Sequence, residues 1–186
     1  LRQANLQGAF LNNADLEDAN LEDANLKDTT LSEAQISHAT IRATLSGTNL
    51  QNADLRDTNL AAATLDGANL QGADLRGARL PVQMRGARLT GANLRGLCLE
   101  EANLQEAHLE RTDLQYASLP RVQLQGAQLQ GADLHHANLG GANLWRAALH
   151  GADLRHANLD QADLEGVDFS GLDLRNAVLN RARLCK

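Results

Sequence analysis

The sequence predicts an all-β solenoid with four short repeats in each coil, and three observations lead to this prediction. A large apolar residue recurs at every fifth position from Leu1 to Leu184, allowing for two one-residue deletions, which gives 38 central positions, 34 of them Leu. Alanine occupies 28 of the 37 positions that lie two residues before a central residue. An Asp-Leu-Arg triplet recurs at intervals of four repeats, at Asp54 and Asp74 and again at Asp153 and Asp173, with related triplets at Asp113 and Asp133 between them.

The five-residue period fits neither of the common elements, because a helix spaces its apolar residues by three and four and a strand spaces them by two. Steps of two and then three residues suit a short extended stretch with two inward side chains, followed by a turn. Such turns bury an apolar ladder only when successive coils stack. The triplet interval corresponds to four repeats, so 38 repeats predict about 9.5 coils and a rod about 45 Å long at the usual strand spacing.

Two repeats are one residue short, and both are predicted to lie at the same corner of the rod. The first lies between Ile41 and Leu45 and the second between Leu80 and Met84, eight repeats further on, which is two full coils. Pro81 lies in the second and cannot donate a backbone hydrogen bond, so we expect this corner to be irregular. Larger residues stand at some alanine positions and are expected to widen the lumen locally. These residues are Val82, Leu97, Val122, Val167 and Leu172.

Composition indicates a single domain over residues 1–186 with a thin aliphatic core, since 43% of residues are hydrophobic but only 2% are aromatic. No apolar run approaches the length of a membrane span, so we expect neither a transmembrane segment nor a signal peptide. The chain begins in register at Leu1 without a methionine, which we interpret as a processed chain or a segment of a longer one. Cys98 and Cys185 lie 17 repeats apart, too far for a disulfide, which favours the cytoplasm.

The repeats Ala132-Asp133-Leu134 and Ala92-Asn93-Leu94-Arg95-Gly96 resemble those of the pentapeptide repeat family over essentially the whole chain. This resemblance implies a right-handed quadrilateral β-helix with the central Leu and the preceding Ala inside. Members of the family include DNA-mimicking dimers that protect DNA gyrase, and many other members have no assigned activity. The resemblance therefore implies the fold more strongly than the function.

Catalytic motifs are absent, and we expect no enzymatic activity, no cofactor and no metal. Tyr116, His136 and His156 fall at one equivalent position of three successive coils and predict a contact patch. A weak metal site that adds His135 is a less favoured alternative, because two stacked histidines lack convergent further ligands. Trp145 is the only tryptophan and is predicted to point outward as a contact anchor.

Negative charge is concentrated at the N-terminal end, where Glu17, Asp18, Glu22 and Asp23 form the only credible mimic of DNA. A net charge of −6 over about 45 Å is far sparser than one charge per roughly 1.7 Å of B-DNA. Further along, Asp and Arg residues form adjacent columns that are expected to pair with each other. Direct nucleic-acid binding is therefore not expected, since the arginines alternate with carboxylates and lack stacking aromatic residues.

Two functions remain open from the sequence. The favoured one is a scaffold that binds another protein, or a second copy of itself, through the ends and side faces of the solenoid. The alternative is an inhibitor or protector of a nucleic-acid enzyme such as DNA gyrase, acting through the acidic N-terminal coils. End contacts are expected to dominate, because exposed strand edges and lumen residues such as Leu1 and Leu184 favour association.

Overall fold

Single-residue parallel bridges between stacked coils build the fold. The computed structural model describes residues 1–184, and within them the regular structure consists of isolated β-bridges, with no helix and no longer strand. Each bridge joins the residue before a central position to its equivalent in the next coil, as Asn5 to Asn25 and Asp133 to Asp153. Wherever the repeats are complete, a bridge spans four of them, so four repeats make one coil, as the triplet spacing predicts.

The rod has four sides, which we number by the central residues of the second coil. Side 1 carries Leu21, side 2 carries Leu26, side 3 carries Leu31 and side 4 carries Ile36. A corner is named by the two sides that it joins, so corner 1–2 follows the central residue of side 1. This numbering places every surface residue on one side or corner.

The core is a column of leucines and alanines that fills the lumen. From Leu21 to Leu164 the central residues other than the partly buried Leu80 are shielded from solvent, with Leu50 and Leu104 both 0% exposed, and alanines such as Ala107 are equally buried. In the first coil and from Phe169 to Leu184 the central residues, among them Leu11 and Leu174, are partly buried or exposed. The inward assignment of the central Leu and the preceding Ala is therefore confirmed.

Each complete repeat turns the corner with a two-residue turn. The N–H three residues after a central residue donates to the carbonyl of that central residue, as from Ala117 to Leu114 at 3.1 Å. The second turn residue usually has a left-handed backbone, with φ of 66° at Gly126 and 57° at Tyr116. This geometry matches a type II turn, which favours glycine at that position and explains its recurrence two residues after the central leucine.

Threonine replaces the inward alanine at four positions, and its hydroxyl is satisfied inside the rod. Each hydroxyl donates to the carbonyl of a central residue in the preceding coil, at 2.8 to 2.9 Å. Burial of a polar side chain is therefore accompanied by a hydrogen bond, as burial requires. The four threonines are Thr29, Thr48, Thr58 and Thr112.

Replacing Thr112 with valine is expected to lower the free energy of unfolding by about 1 kcal/mol, because the buried bond to the Leu89 carbonyl is lost with little change in shape. Urea denaturation followed by circular dichroism measures this difference. Thr30→Val is the matched control, since the Thr30 hydroxyl is buried without a hydrogen-bond partner and its loss should not destabilise the rod. A Thr112→Val variant as stable as the parent would contradict the proposed contribution of the hydroxyl.

Both short repeats lie at corner 1–2, which confirms the prediction from the spacing. The bridge interval is one residue shorter between Asn25 and Thr44, and again between Asn69 and Arg88, whereas it keeps its full length on side 1 from Asn59 to Arg79. The short repeats replace the two-residue turn with a bend. The deletions therefore cut the same corner twice, two coils apart.

Corner 1–2 is also irregular in its hydrogen bonds. Glu101 and Arg121 donate their N–H groups to the next coil there, but within residues 1–184 no such bond starts from Ala43, Ala62 or Val82. The interruption extends to corner 2–3 beside the first short repeat. There, in the described residues, Asp28 and Gly47 also lack a coil-to-coil bond from their N–H groups.

Val82 corrects one prediction, because it does not point into the lumen. Its side chain is 53% exposed, and Pro81 is buried at this corner instead. The fixed φ of proline and the missing residue leave too little chain for Val82 to turn inward. In the first short repeat Ala43 remains inside, 8% exposed. The other large substitutes follow the prediction: Val122, Leu97 and Val167 are buried, and Leu172 is partly buried.

Candidate interaction surfaces

A stack of rings runs along corner 4–1 on the outside of the rod. Tyr116, His136 and His156 occupy the second turn position of three successive coils, where the left-handed backbone directs each ring outward. The ring centroids of Tyr116 and His136 lie 5.0 Å apart with a 12° interplanar angle, and those of His136 and His156 lie 4.8 Å apart at 20°. The coil spacing of a β-solenoid thus sets the rings at stacking distance. The three residues therefore lie in one stack, as their equivalent repeat positions predict.

Two further residues, His135 and Arg95, extend this stack. Neither occupies the repeat position from which the stack was predicted. His135 packs beside it, with its ring 4.3 Å from that of His136. The Arg95 guanidinium lies 4.8 Å from the centre of the Tyr116 ring, in cation–π contact. We call the set Tyr116, His135, His136 and His156 the aromatic ladder. It presents ring edges along three coils without contributing to the core.

The ladder is not arranged to hold a metal ion. Stacked rings direct their nitrogens along parallel lines, whereas a metal needs donors that converge on one point. Among the residues that the structure describes, no group of three or more His, Cys, Asp or Glu side chains is placed to hold one. The alternative of a metal site with His135 therefore gains no support from the geometry.

Packing in the ladder disfavours a charge on its middle ring. Desolvation between the neighbouring rings, together with repulsion from His135 and His156, holds the pKa of His136 below its ordinary value of 6.5. A histidine whose folded pKa is depressed binds its proton more readily in the unfolded chain. The His136 contribution to stability is therefore present above pH 6.5 and is lost as the pH falls toward the lower, folded pKa.

Lowering the pH from 7.5 to 5.5 is accordingly expected to reduce the melting temperature of the parent more than that of His136→Asn. Asparagine suits the same turn position, as Asn176 shows with φ of 61°. Differential scanning calorimetry at both pH values measures the two shifts. Equal shifts in the two proteins would show that His136 is not responsible for the pH dependence.

The Asp-Leu-Arg triplets form ion pairs within a single coil. Arg56 binds Asp54 with two hydrogen bonds of 2.8 and 2.6 Å, and Arg155 binds Asp153 in the same way. The Arg175 side chain lowers the pKa of the Asp173 carboxyl to about 2 by hydrogen bonding. Because these pairs are exposed, each contributes little to stability. The pairs form the adjacent columns that the sequence predicts.

Trp145 lies on corner 2–3, diagonally across the rod from the aromatic ladder. Its side chain is 38% exposed, and the Arg146 guanidinium lies 4.4 Å from the ring centre. The ring thus lies along the surface under a cation rather than in the core. The prediction that Trp145 points outward is confirmed, and the ladder and Trp145 belong to two separate surfaces.

The acidic N-terminal residues surround the rod instead of lining one edge. Asp18, Asp23, Asp28 and Glu33 each occupy the turn of a different corner. Glu22 is held by two arginines of neighbouring coils, Arg42 at 2.9 Å and Arg2 at 3.3 Å. Glu17 is exposed on corner 4–1. A DNA mimic requires a row of charges along one direction. These acidic residues are instead distributed around the rod.

Among residues 1–184, none forms a helix with the length and hydropathy that a bilayer span requires. Cys98 is an exposed free thiol on side 1. Cys185, from which Cys98 is predicted to be too distant for a disulfide, lies outside the described residues.

Comparison with protein families identifies the repeats. The family model for pentapeptide repeats matches the chain in 8 copies, over residues 1–37, 43–80, 82–105, 99–131, 107–146, 127–166 and 147–184. No curated protein matches the chain in sequence. The boundaries at 37–43 and 80–82 adjoin the two short repeats, where the five-residue period is interrupted.

Solved structures give the same result. HetL, a pentapeptide repeat protein involved in heterocyst differentiation regulation in the cyanobacterium Nostoc sp. strain PCC 7120, is 37% identical. The match covers 98% of this chain and 84% of HetL, with a TM-score of 0.57. Rfr23 from the cyanobacterium Cyanothece 51142 is also 37% identical, over 52% of this chain and 63% of Rfr23, with a TM-score of 0.46. QnrB1, a plasmid-mediated fluoroquinolone resistance protein, is 20% identical over 94% of this chain and 83% of QnrB1, with a TM-score of 0.39.

Proposed function

Because the chain belongs to the pentapeptide repeat family, we propose that it is a non-enzymatic scaffold in the cytoplasm that binds another protein, or a second copy of itself. In this proposal about 9.5 right-handed coils form a rigid rod, and its ends and side faces carry the contacts. The rod supplies fixed spacing, and the exposed side chains supply recognition. HetL, which resembles the chain over most of both lengths, is itself involved in a regulatory process.

The aromatic ladder is the observation that carries the proposal. Its rings lie outside the core, yet four of them stack over three coils at centroid distances between 4.3 and 5.3 Å. Tyr116 is 51% exposed, so the edge of its ring is available to a partner. Exposed tyrosine and tryptophan side chains are the residues that most often anchor protein interfaces. Trp145 provides a second anchor on the opposite corner.

Site-specific photo-crosslinking in the source cells tests the proposal. A benzophenone amino acid at position 116 or 145 is expected to give a discrete crosslinked product with a protein partner or a second copy. The same amino acid at Gln71, an exposed corner position far from both anchors, is the matched control. Absence of a specific product from positions 116 and 145 would contradict binding through these side faces.

One assay distinguishes the scaffold function from the alternative function of a gyrase inhibitor or protector. In that alternative the interacting surface is formed by Glu17, Asp18, Glu22 and Asp23. Addition of the purified protein to a DNA gyrase supercoiling reaction is expected to leave the rate unchanged and to give no protection against a quinolone. Inhibition or protection that is lost on changing Asp18 and Asp23 to asparagine would replace the scaffold proposal with the DNA-mimic function.

A further inference from the structure

The two short repeats leave a depression along one edge of the rod. At corner 1–2 the complete turns of the second and sixth coils stand out at Asp23 and Glu101, and the short repeats between them recede. The fourth coil, which separates the short repeats, carries only Ala61 and Ala62 at this corner, and both are exposed. The edge therefore has high ends and a low centre.

The first short repeat opens a notch of about 450 Å³ between the second and fourth coils. Residues of three successive coils line it, among them Asp23, Arg42, Thr44, Ala62 and Thr64. The Thr64 hydroxyl oxygen is shielded and has no hydrogen-bond partner. The notch is thus lined largely by small side chains of three successive coils.

The second short repeat adds an exposed apolar side chain to the same corner. Val82 is turned outward and 53% exposed, beside the buried Pro81. The N–H groups of Ala62 and Val82 donate to no carbonyl of the next coil. We call the surface formed by Ala43, Ala61, Ala62, Pro81 and Val82 the trough. The edge from the bordering turn at Asp23 to that at Glu101 takes four coil steps and spans about 19 Å, which equals the length of about six residues of extended chain.

Acidic residues border the trough at both ends. Glu22 and Asp23 precede it, and Glu100 and Glu101 follow it. Arg121 pairs with both Glu100 and Glu101, and Glu22 pairs with Arg2 and Arg42. In the described residues no ion pair involves Asp23, so its carboxylate is available to a cation. The charge pattern favours a basic residue in a bound segment at the Asp23 end.

We propose that the trough binds an extended segment of a partner protein, about six residues long, with small apolar side chains at its centre and a lysine or arginine facing Asp23. The segment lies along the rod axis and fills the two cut corners. This proposal rests on the proposed scaffold function, for which it names the class of partner. The trough is separate from the aromatic ladder, which lies on corner 4–1.

A displayed library of random hexapeptides, selected on the full chain, tests the proposal. Enriched peptides are expected to carry lysine or arginine near one end and small apolar residues in the middle. Their affinities are then measured by fluorescence polarisation for the parent, Ala61→Arg, Gln71→Arg and Asp23→Asn. Ala61 and Gln71 are matched, because both are exposed first turn residues whose N–H groups are bonded by an asparagine side chain.

Ala61→Arg is expected to weaken binding by at least about tenfold, because its long cationic side chain fills the centre of the trough, whereas Gln71→Arg should change it by less than about twofold. Asp23→Asn should weaken binding of the basic peptides by about threefold or more. Equal affinity of Ala61→Arg and the parent, or enrichment of acidic peptides, would overturn the trough proposal.

The peptide-binding and crosslinking experiments distinguish an error in the trough proposal from an error in the scaffold proposal. Peptides that bind Ala61→Arg normally but are lost on changing Tyr116, His136 and His156 to asparagine overturn the trough and leave protein binding intact. A library without any enriched peptide also overturns the trough. The scaffold function is then decided separately by the crosslinking at positions 116 and 145.

Discussion

Replacing Leu104 with aspartate is expected to unfold the rod cooperatively. Leu104 is a central residue of the sixth coil and is 0% exposed in a lumen lined by leucine and alanine. A carboxylate at this position would be buried without a partner, a change that costs on the order of 4 kcal/mol or more. Because each coil is stabilised mainly by its neighbours, loss of one mid-rod coil removes support from both sides. Thermal melts followed by circular dichroism measure the effect.

Gln105→Asp is the control for this prediction, since the same charge is introduced one residue later, at the outer corner. It should melt close to the parent. A Leu104→Asp protein that melts within about a degree of the parent, where about 1 kcal/mol corresponds to several degrees, would show that the central position does not face the lumen.

The second large effect is a difference between two valines at the same repeat position. Val122→Asp should destabilise the rod severely, because Val122 is 0% exposed inside the lumen. Val82→Asp should cost less than about 1 kcal/mol, because Val82 is 53% exposed at the cut corner. If both valines faced the lumen, as the repeat pattern predicts, the two substitutions would be equally destabilising. Comparison of the two variants therefore tests the outward orientation of Val82.

Urea denaturation of both variants under identical conditions gives the comparison. If Val82→Asp proves as damaging as Val122→Asp, the outward orientation of Val82 is wrong and the second half of the trough does not exist.

The repeated architecture was accessible from the sequence because one physical constraint recurs in every repeat. A lumen this narrow admits leucine at one inward position and a small residue at the other, so the pattern at Leu104 and Ala107 is repeated along the chain. Counting repeats also located the two deletions at one corner. The outward orientation of Val82 was not predictable in this way, because it depends on the combined effect of Pro81 and the missing residue on the backbone of one bend.

The candidate surfaces were predictable only in part. Equivalent repeat positions brought Tyr116, His136 and His156 together, since coil stacking places equivalent residues one above another. The cation–π contact of Arg95 and the neutralisation of Glu22 by Arg2 and Arg42 depend on side-chain reach between coils. The trough depends on the combination of two deletions with two alanines between them, a shape that no single repeat reveals.

The four-repeat bridge interval determines how such a chain can change length during evolution. Duplication of one whole coil adds four repeats and keeps every downstream side chain on its original side. Duplication of a single repeat preserves the core equally well but rotates everything after it by about a quarter turn. A repeat gained between Val82 and Tyr116 would thus move the aromatic ladder to the edge that carries the trough. Genes of this kind can rearrange their binding surfaces around the axis in quarter-turn steps without altering a single buried residue.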